Sequence, residues 1–235
     1  FVFQYKISAK LKEVKTNEQS YQKLKEDCMS EVLKNGRALE NEGRYEEAVE
    51  IYKIADNQHE DYSEVLARLG NCYMRLQNLT IAESYYCQSL KLLPEGYTAG
   101  IGLGLLEIQL NKLDKAAYRF SEITKFNPDS DKAWSGLGIA YRKAERMMDA
   151  MDAFSKALKI NIENEAAMGN LLELSYQKNQ FNQIEFSLKK FLERHPGNLN
   201  ILFGLAGIQY KSKRIDEAQE TLSKILSLDS EHDNA

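Results

Sequence analysis

The residues of this 235-residue chain whose types could do chemistry are few. They are Cys28, Cys72 and Cys87, His59, His195 and His232, and the glycine pairs Gly102-x-Gly104 and Gly136-x-Gly138. An odd number of cysteines without a C-x-x-C pair gives neither a disulfide framework nor a zinc knot. Cys72 and Cys87 read as small hydrophobes on neighbouring helices. No histidine has a nucleophile in register with it, so none reads as a general base. The glycine pairs lack the preceding strand that a phosphate-cradling loop needs. The expectation is a chain without catalytic residues, metal or cofactor, and not an enzyme.

Composition narrows the class further. A formal net charge of −4 argues against nucleic acid, where a basic stripe is expected. Charged residues at 28% and apolar residues at 43% describe an ordinary water-facing protein. No apolar run reaches the ~18–20 residues that cross a bilayer. With reduced cysteines and no leader sequence, a cytoplasmic location is expected. Phe1 is not an initiator methionine, so membrane contact is expected only through a preceding segment.

What must position any functional residue is a repeat. Trp134, Leu137, Gly138 and Tyr141 mark one face of a helix, and Ala150, Phe154 and Ala157 mark a second. A polar turn around Lys143–Asp149 joins them, with Asp149 expected at the start of the second helix. Steps of 34 residues from Gly138 reach Gly36, Gly70 and Gly104, then Leu172 and Ala206. From Ala150 they reach Ala48, Ala82 and Ala116, then Ile184 and Ala218. From Phe154 they reach Tyr52, Tyr86 and Phe120, then Leu188 and Leu222. The three prolines, Pro94, Pro128 and Pro196, keep the same step. A period of this length means stacked helical hairpins.

The pattern resembles the tetratricopeptide repeat (TPR), whose W-x2-L-G-x2-Y…A-x3-F…P signature residues 131–164 match except at Ile162. Six repeats are expected: 29–62, 63–96, 97–130, 131–164, 165–198 and 199–232. The fold class implied is all-α, a right-handed superhelical solenoid of helix-turn-helix hairpins. First helices are expected over positions 2–14 of each repeat and second helices over positions 18–31. Paired small residues such as Gly70/Ala82, Gly104/Ala116 and Gly138/Ala150 should let helix axes approach. Gly43, Asn111 and Asn179 share a slot suited to a left-handed turn, and Asp114 and Asp216 open second helices. The fifth repeat departs most, with Leu172, Ile184 and Phe191 at small-residue slots, and should hold its helices apart.

Residues 1–28 leave the register. Ile7, Leu11, Val14, Tyr21, Leu24 and Cys28 keep helical spacing, with a break expected at Thr16–Ser20 and a cap from Asn17 or Ser20. Three readings stay open: a capping helix, the stub of a preceding domain or membrane helix with Lys6, Lys10 and Lys12 beside it, or an arm for another copy. Residues 233–235 read as the start of a truncated helix, and the whole as a piece of a longer protein.

In proteins of the resembling family, first helices line a concave groove for a partner peptide. The resemblance implies that positions five, nine and twelve face it. The rows are Leu33, Ala67, Ile101, Ser135, Gly169, Phe203; Arg37, Asn71, Leu105, Ile139, Glu173, Gly207; and Glu40, Met74, Ile108, Arg142, Tyr176, Tyr210. Their middle is apolar at Ile101, Leu105, Ile108 and Ile139, and such patches mark interaction sites. Gly102 and Gly136 should leave room for a partner's backbone. Lys34, Arg37, Arg68 and Arg75 should take its acidic end. The chaperone-tail clamp is incomplete, with Leu105, Gly102 and Thr98 replacing its polar residues, and only Asn170 stands where sugar-transferring relatives carry an asparagine ladder.

The favoured function is a scaffold or adaptor that binds a peptide or helix with apolar anchors and an acidic portion. Two alternatives are a non-catalytic targeting module of a larger enzyme, such as a transferase, and self-association through the N-terminal segment.

Overall fold

A computed structural model describes residues 18–232, apart from 56, 58 and 60. The cap expected at Asn17, the arm or stub at residues 1–5 and the truncated helix at 233–235 lie outside the described residues, whereas Ser20, the other expected cap, stands inside the first helix and does not cap it. The described residues form twelve α-helices and no strand. First helices of the hairpins are α1 (Glu18–Asn41), α3 (Tyr62–Arg75), α5 (Tyr97–Gln109), α7 (Asp131–Lys143), α9 (Glu165–Lys178) and α11 (Leu199–Lys211). Second helices are α2 (Tyr45–Tyr52), α4 (Leu79–Leu92), α6 (Leu113–Phe126), α8 (Met147–Ile160), α10 (Asn182–Arg194) and α12 (Ile215–His232). From α3 onward, helix starts keep the expected register to within two residues.

The first repeat is irregular. No glycine or proline interrupts residues 18–35, and α1 runs unbroken through the boundary expected after residue 28, burying Met29 and Val32. Its partner α2 is only 8 residues long. The chain then tightens, Ile54 N–H donating to the Ile51 carbonyl and Ala55 N–H to that of Tyr52.

Backbone contacts divide the chain into two compact units, one ending at Leu110 and the other starting at Asn111. In the first, α3 pairs with α4, and α5 packs on both. In the second, α6 packs on α7, α7 pairs with α8, and α11 pairs with α12. Helices α9 and α10 of the fifth repeat approach each other far less closely than α7 and α8 do, as the large residues there imply.

The turns explain the columns. Each hairpin turn passes through one left-handed residue: Gly43, Gln77, Asn111, Glu145, Asn179 and Lys213, with φ between 53° and 75°. Only three of the six are types that favour this conformation. A left-handed side chain costs about 1–2 kcal/mol, more than the ~0.5–1 kcal/mol entropy cost of glycine. Lys213→Gly is therefore expected to stabilise the second unit by about 0.5–1 kcal/mol in urea unfolding.

Between repeats, Gly96, Ser130, Asn164 and Asn198 each donate N–H to the carbonyl three residues back, closing a β-turn. The proline column is the second position of that turn, where φ near −65° is wanted. Ile162 fills the slot once, and its side chain is buried in the core of the second unit. The turn's last residue caps the next helix: Ser130, Asn164 and Asn198 accept from the N–H of Ala133, Ala167 and Ile201 at 3.0, 2.9 and 3.1 Å. Asp149 is not a cap but lies in the first turn of α8, where it suits the helix dipole and pairs with Arg146 at 2.8 Å.

Candidate functional site

The interiors of the first four hairpins are each keyed by one buried ring: Tyr52, Tyr86, Phe120 and Phe154. In the first unit the buried ring of Tyr86 lies against Gly70 of its own repeat and Gly102 of the next. A Cβ at Gly70 would come within 2.6 Å of that ring, and one at Gly102 within 2.4 Å. In the second unit, Gly136 faces Phe120 at 2.4 Å and Gly138 faces Phe154 at 2.6 Å by the same measure. The expectation that Gly102 and Gly136 hold space for a partner is thereby corrected. The chain's own aromatic residues occupy that space. The fifth repeat keeps the volume by another route: Leu172 and Leu188 replace the glycine and the ring and reach toward Gly204, with 3.3 Å between a Cβ there and Leu172.

A tyrosine ring in this interior needs a partner for its hydroxyl. Tyr86 donates to Asn71 Oδ1 at 2.7 Å, and Met74 Sδ lies 3.9 Å away. Tyr52 donates to Glu40 in the same way. Asn71 is thus partly committed to structure. Asn71→Ala is expected to cost about 1–3 kcal/mol, because the hydroxyl keeps only a weak sulfur acceptor. Adding Tyr86→Phe should recover part of that loss in chemical unfolding.

The basic cluster expected in the first two repeats is largely self-neutralised. Arg68 Nε lies 2.8 Å from Glu64 and its Nη1 3.6 Å from Glu40, while Arg37 reaches Glu64 at 3.4 Å. Lys34 and Arg75 are exposed and have no ion pair among the described residues. On α5, Ile101 is half-buried and Leu105 is 38% exposed, whereas Ile108 is buried.

In the second unit Ser135 is buried, and Ile139 packs against the core. Ser135 and Ile108 therefore do not belong to an exposed face, because their side chains point into helix packing. Arg142 pairs with Glu173 at 2.6 Å. Phe203 and Tyr210 stand out at 68% and 65% exposed, with the half-buried Tyr176 beside Gly204 and Gly207. Of the predicted contact residues, Lys34, Arg37, Arg75, Leu105, Phe203 and Tyr210 are exposed.

One electrostatic tie has no signature in the 34-residue pattern. Arg214, in the turn before α12, binds Glu185 of α10 through both terminal guanidinium nitrogens, Nη2 at 2.6 Å and Nη1 at 2.8 Å. That hydrogen bonding, helped by Lys189, outweighs burial and holds the Glu185 carboxyl below its ordinary pKa. A depressed carboxylate stabilises at neutral pH, and the gain disappears as pH falls through the acid range. Glu185→Gln should flatten the loss of stability between about pH 6 and 3. Parallel urea titrations across that range measure it.

The chemistry-bearing residues stay apart. Cys72 is buried and Cys87 exposed. His195 Nε2 lies 2.9 Å from Glu163 with both side chains near half exposed, a surface contact. No group of three metal-ligating side chains occurs among the described residues. Nor is any described helix long and apolar enough to cross a membrane.

Solved structures share this architecture. PilF of Pseudomonas aeruginosa superposes with a TM-score of 0.69 at 15% identity, covering 90% of this chain and 95% of that one. MamA from Desulfovibrio magneticus RS-1 gives 0.59 at 19% identity, over 73% of this chain and 97% of that one. A tetratricopeptide repeat protein from Parabacteroides merdae gives 0.58 at 19% identity, over 86% and 80%. At such identities the likeness speaks for the fold, which is all-α TPR and consistent with a protein-interaction scaffold. No curated protein sequence matches. The family model for the C-terminal domain of cilia and flagella-associated protein 70 matches residues 8–235. That match spans nearly the whole sequence, and the chain belongs to this family of C-terminal TPR domains.

Proposed function

We propose that the chain is a protein-interaction module of a cilium or flagellum, its first helices receiving a segment of a partner protein. The observation that carries this is α5. Its sequence is apolar on nearly every side, so after the core is satisfied it still leaves Leu105 exposed and Ile101 half-exposed. A solvated helix face would be polar there. The partner segment brings an apolar anchor for Leu105 and Ile101, and an acidic portion drawn to Lys34 and Arg75, the cations not already held by glutamates. Rim charges of this kind steer association more than they add affinity. The family's description as a C-terminal domain supports a module of a longer protein.

The test is quantitative capture from extracts of isolated cilia, comparing wild type with a Leu105→Lys/Arg75→Glu variant whose circular dichroism is unchanged. Both side chains are exposed, so the fold should tolerate the change. Loss of a ciliary protein captured by wild type is the expected result. Equal recovery by both would remove the first helices of the first unit from the binding role.

A further inference from the structure

The exposed aromatic stripe on α11 has a spacing and a charge that select a particular ligand. Phe203 and Tyr210 are seven residues apart and so share one helix face, roughly 10.5 Å apart along the axis. Gly207 lies between them and contributes no side chain. From α9, Tyr176 projects over this gap, its hydroxyl donating to the Gly204 carbonyl at 3.4 Å and sitting where a Cβ at Gly207 would come within 2.2 Å. The result is three aromatic side chains along a notch, with a hydroxyl in the middle. The neighbouring charges Arg142 and Glu173 cancel each other at 2.6 Å. The exposed Lys211 follows Tyr210 at the end of the stripe.

We infer that this notch binds a proline-rich segment in the polyproline II conformation, followed by an acidic residue. Residues three apart on such a helix lie on one face, roughly 9.3 Å apart, close to the roughly 10.5 Å that separates positions 203 and 210 along α11. Proline rings pack flat on aromatic faces. The segment is already extended, so little entropy is lost on binding. A neutral centre avoids the desolvation cost of burying charge, and Lys211 fixes direction by attracting the acidic residue. An amphipathic helix would instead need a wider apolar trough than one row of rings provides.

This rests on reading the first helices as a partner-receiving face, though not on Leu105. The experiment is calorimetric titration of the chain with a synthetic peptide of three Pro-x-x-Pro units ending in glutamate. The control peptide carries alanine for every proline. Wild type should bind the proline peptide about tenfold or more tightly than the control. A Phe203→Ser/Tyr210→Ser variant should lose about tenfold or more, since exposed aromatic anchors carry most of such an interface. Leu105→Lys/Arg75→Glu should bind it as wild type does. No binding to folded wild type overturns the inference, as does equal binding by the Phe203→Ser/Tyr210→Ser variant. In that case ciliary capture through Leu105 would still stand. Conversely, retained proline binding with no loss of capture in Leu105→Lys/Arg75→Glu would overturn only the assignment to Leu105.

Discussion

Phe154→Ala is expected to destabilise the second unit by about 3–5 kcal/mol, the range for emptying an aromatic pocket in a packed core. The ring is fully buried, sits against Gly138, and belongs to the cluster that includes Ala150, Ala157, Leu171 and Ile184. Removing it leaves a cavity that short helices, marginal by themselves, cannot close by relaxing. The same slot two repeats later holds Leu222, which is 41% exposed on α12. Leu222→Ala is expected to cost under ~1 kcal/mol, because much of that side chain already meets water. Urea unfolding followed by circular dichroism separates the two. Equal losses would mean that the column, rather than burial, decides the energetics.

Gly102→Ala is expected to destabilise the first unit, a change of unusual sign. Alanine normally improves a helix interior by about 0.5–1 kcal/mol over glycine. At Gly102 the new methyl would meet the Tyr86 ring at 2.4 Å, and that ring is wedged against Gly70 and tied to Asn71. Overpacking of this kind costs about 1–3 kcal/mol, so it outweighs the propensity gain. Gly169 is the contrast: also inside a first helix, it has nothing within 4 Å of an added Cβ. Gly169→Ala should stabilise by about 0.5–1 kcal/mol. A double-mutant cycle pairing Gly102→Ala with Tyr86→Val should show a coupling of at least ~1 kcal/mol, since the smaller side chain makes room.

These contrasts show what the sequence can and cannot reveal. The 34-residue step makes the hairpins and helix limits legible, because buried columns must repeat when each unit packs on a copy of itself. The left-handed turn slot is legible at Gly43, Asn111 and Asn179 only. Gln77, Glu145 and Lys213 adopt the same conformation without being suited to it, held there by the hairpin around them. The capping role of Ser130, Asn164 and Asn198 is also present in the sequence, as a column of good capping residues. Asp149 is of an equally suitable type but stands inside its helix, so residue type alone does not locate the cap.

The site is less legible. A one-dimensional pattern says that Gly102 needs space but not which group claims it, and the claimant is Tyr86 in the preceding repeat. Likewise Arg37 and Arg68 read as cations for a ligand until side-chain geometry pairs them with Glu64 and Glu40. Ile108 and Ser135 are buried rather than exposed, which a row count does not foresee.

The most direct test of a partner-receiving face on the first helices is hydroxyl-radical footprinting of the chain with and without the captured ciliary partner. Exposed aromatic and leucine side chains react readily, and both sets of helices carry them. Leu105, Phe203 and Tyr210 report on first helices, while Tyr118 and Phe186, 68% and 63% exposed, report on second helices. If the first helices receive the partner, labelling at Leu105 is suppressed while Tyr118 and Phe186 react as before. Protection of Tyr118 and Phe186, with Leu105, Phe203 and Tyr210 unchanged, would contradict this and place the partner on the second helices.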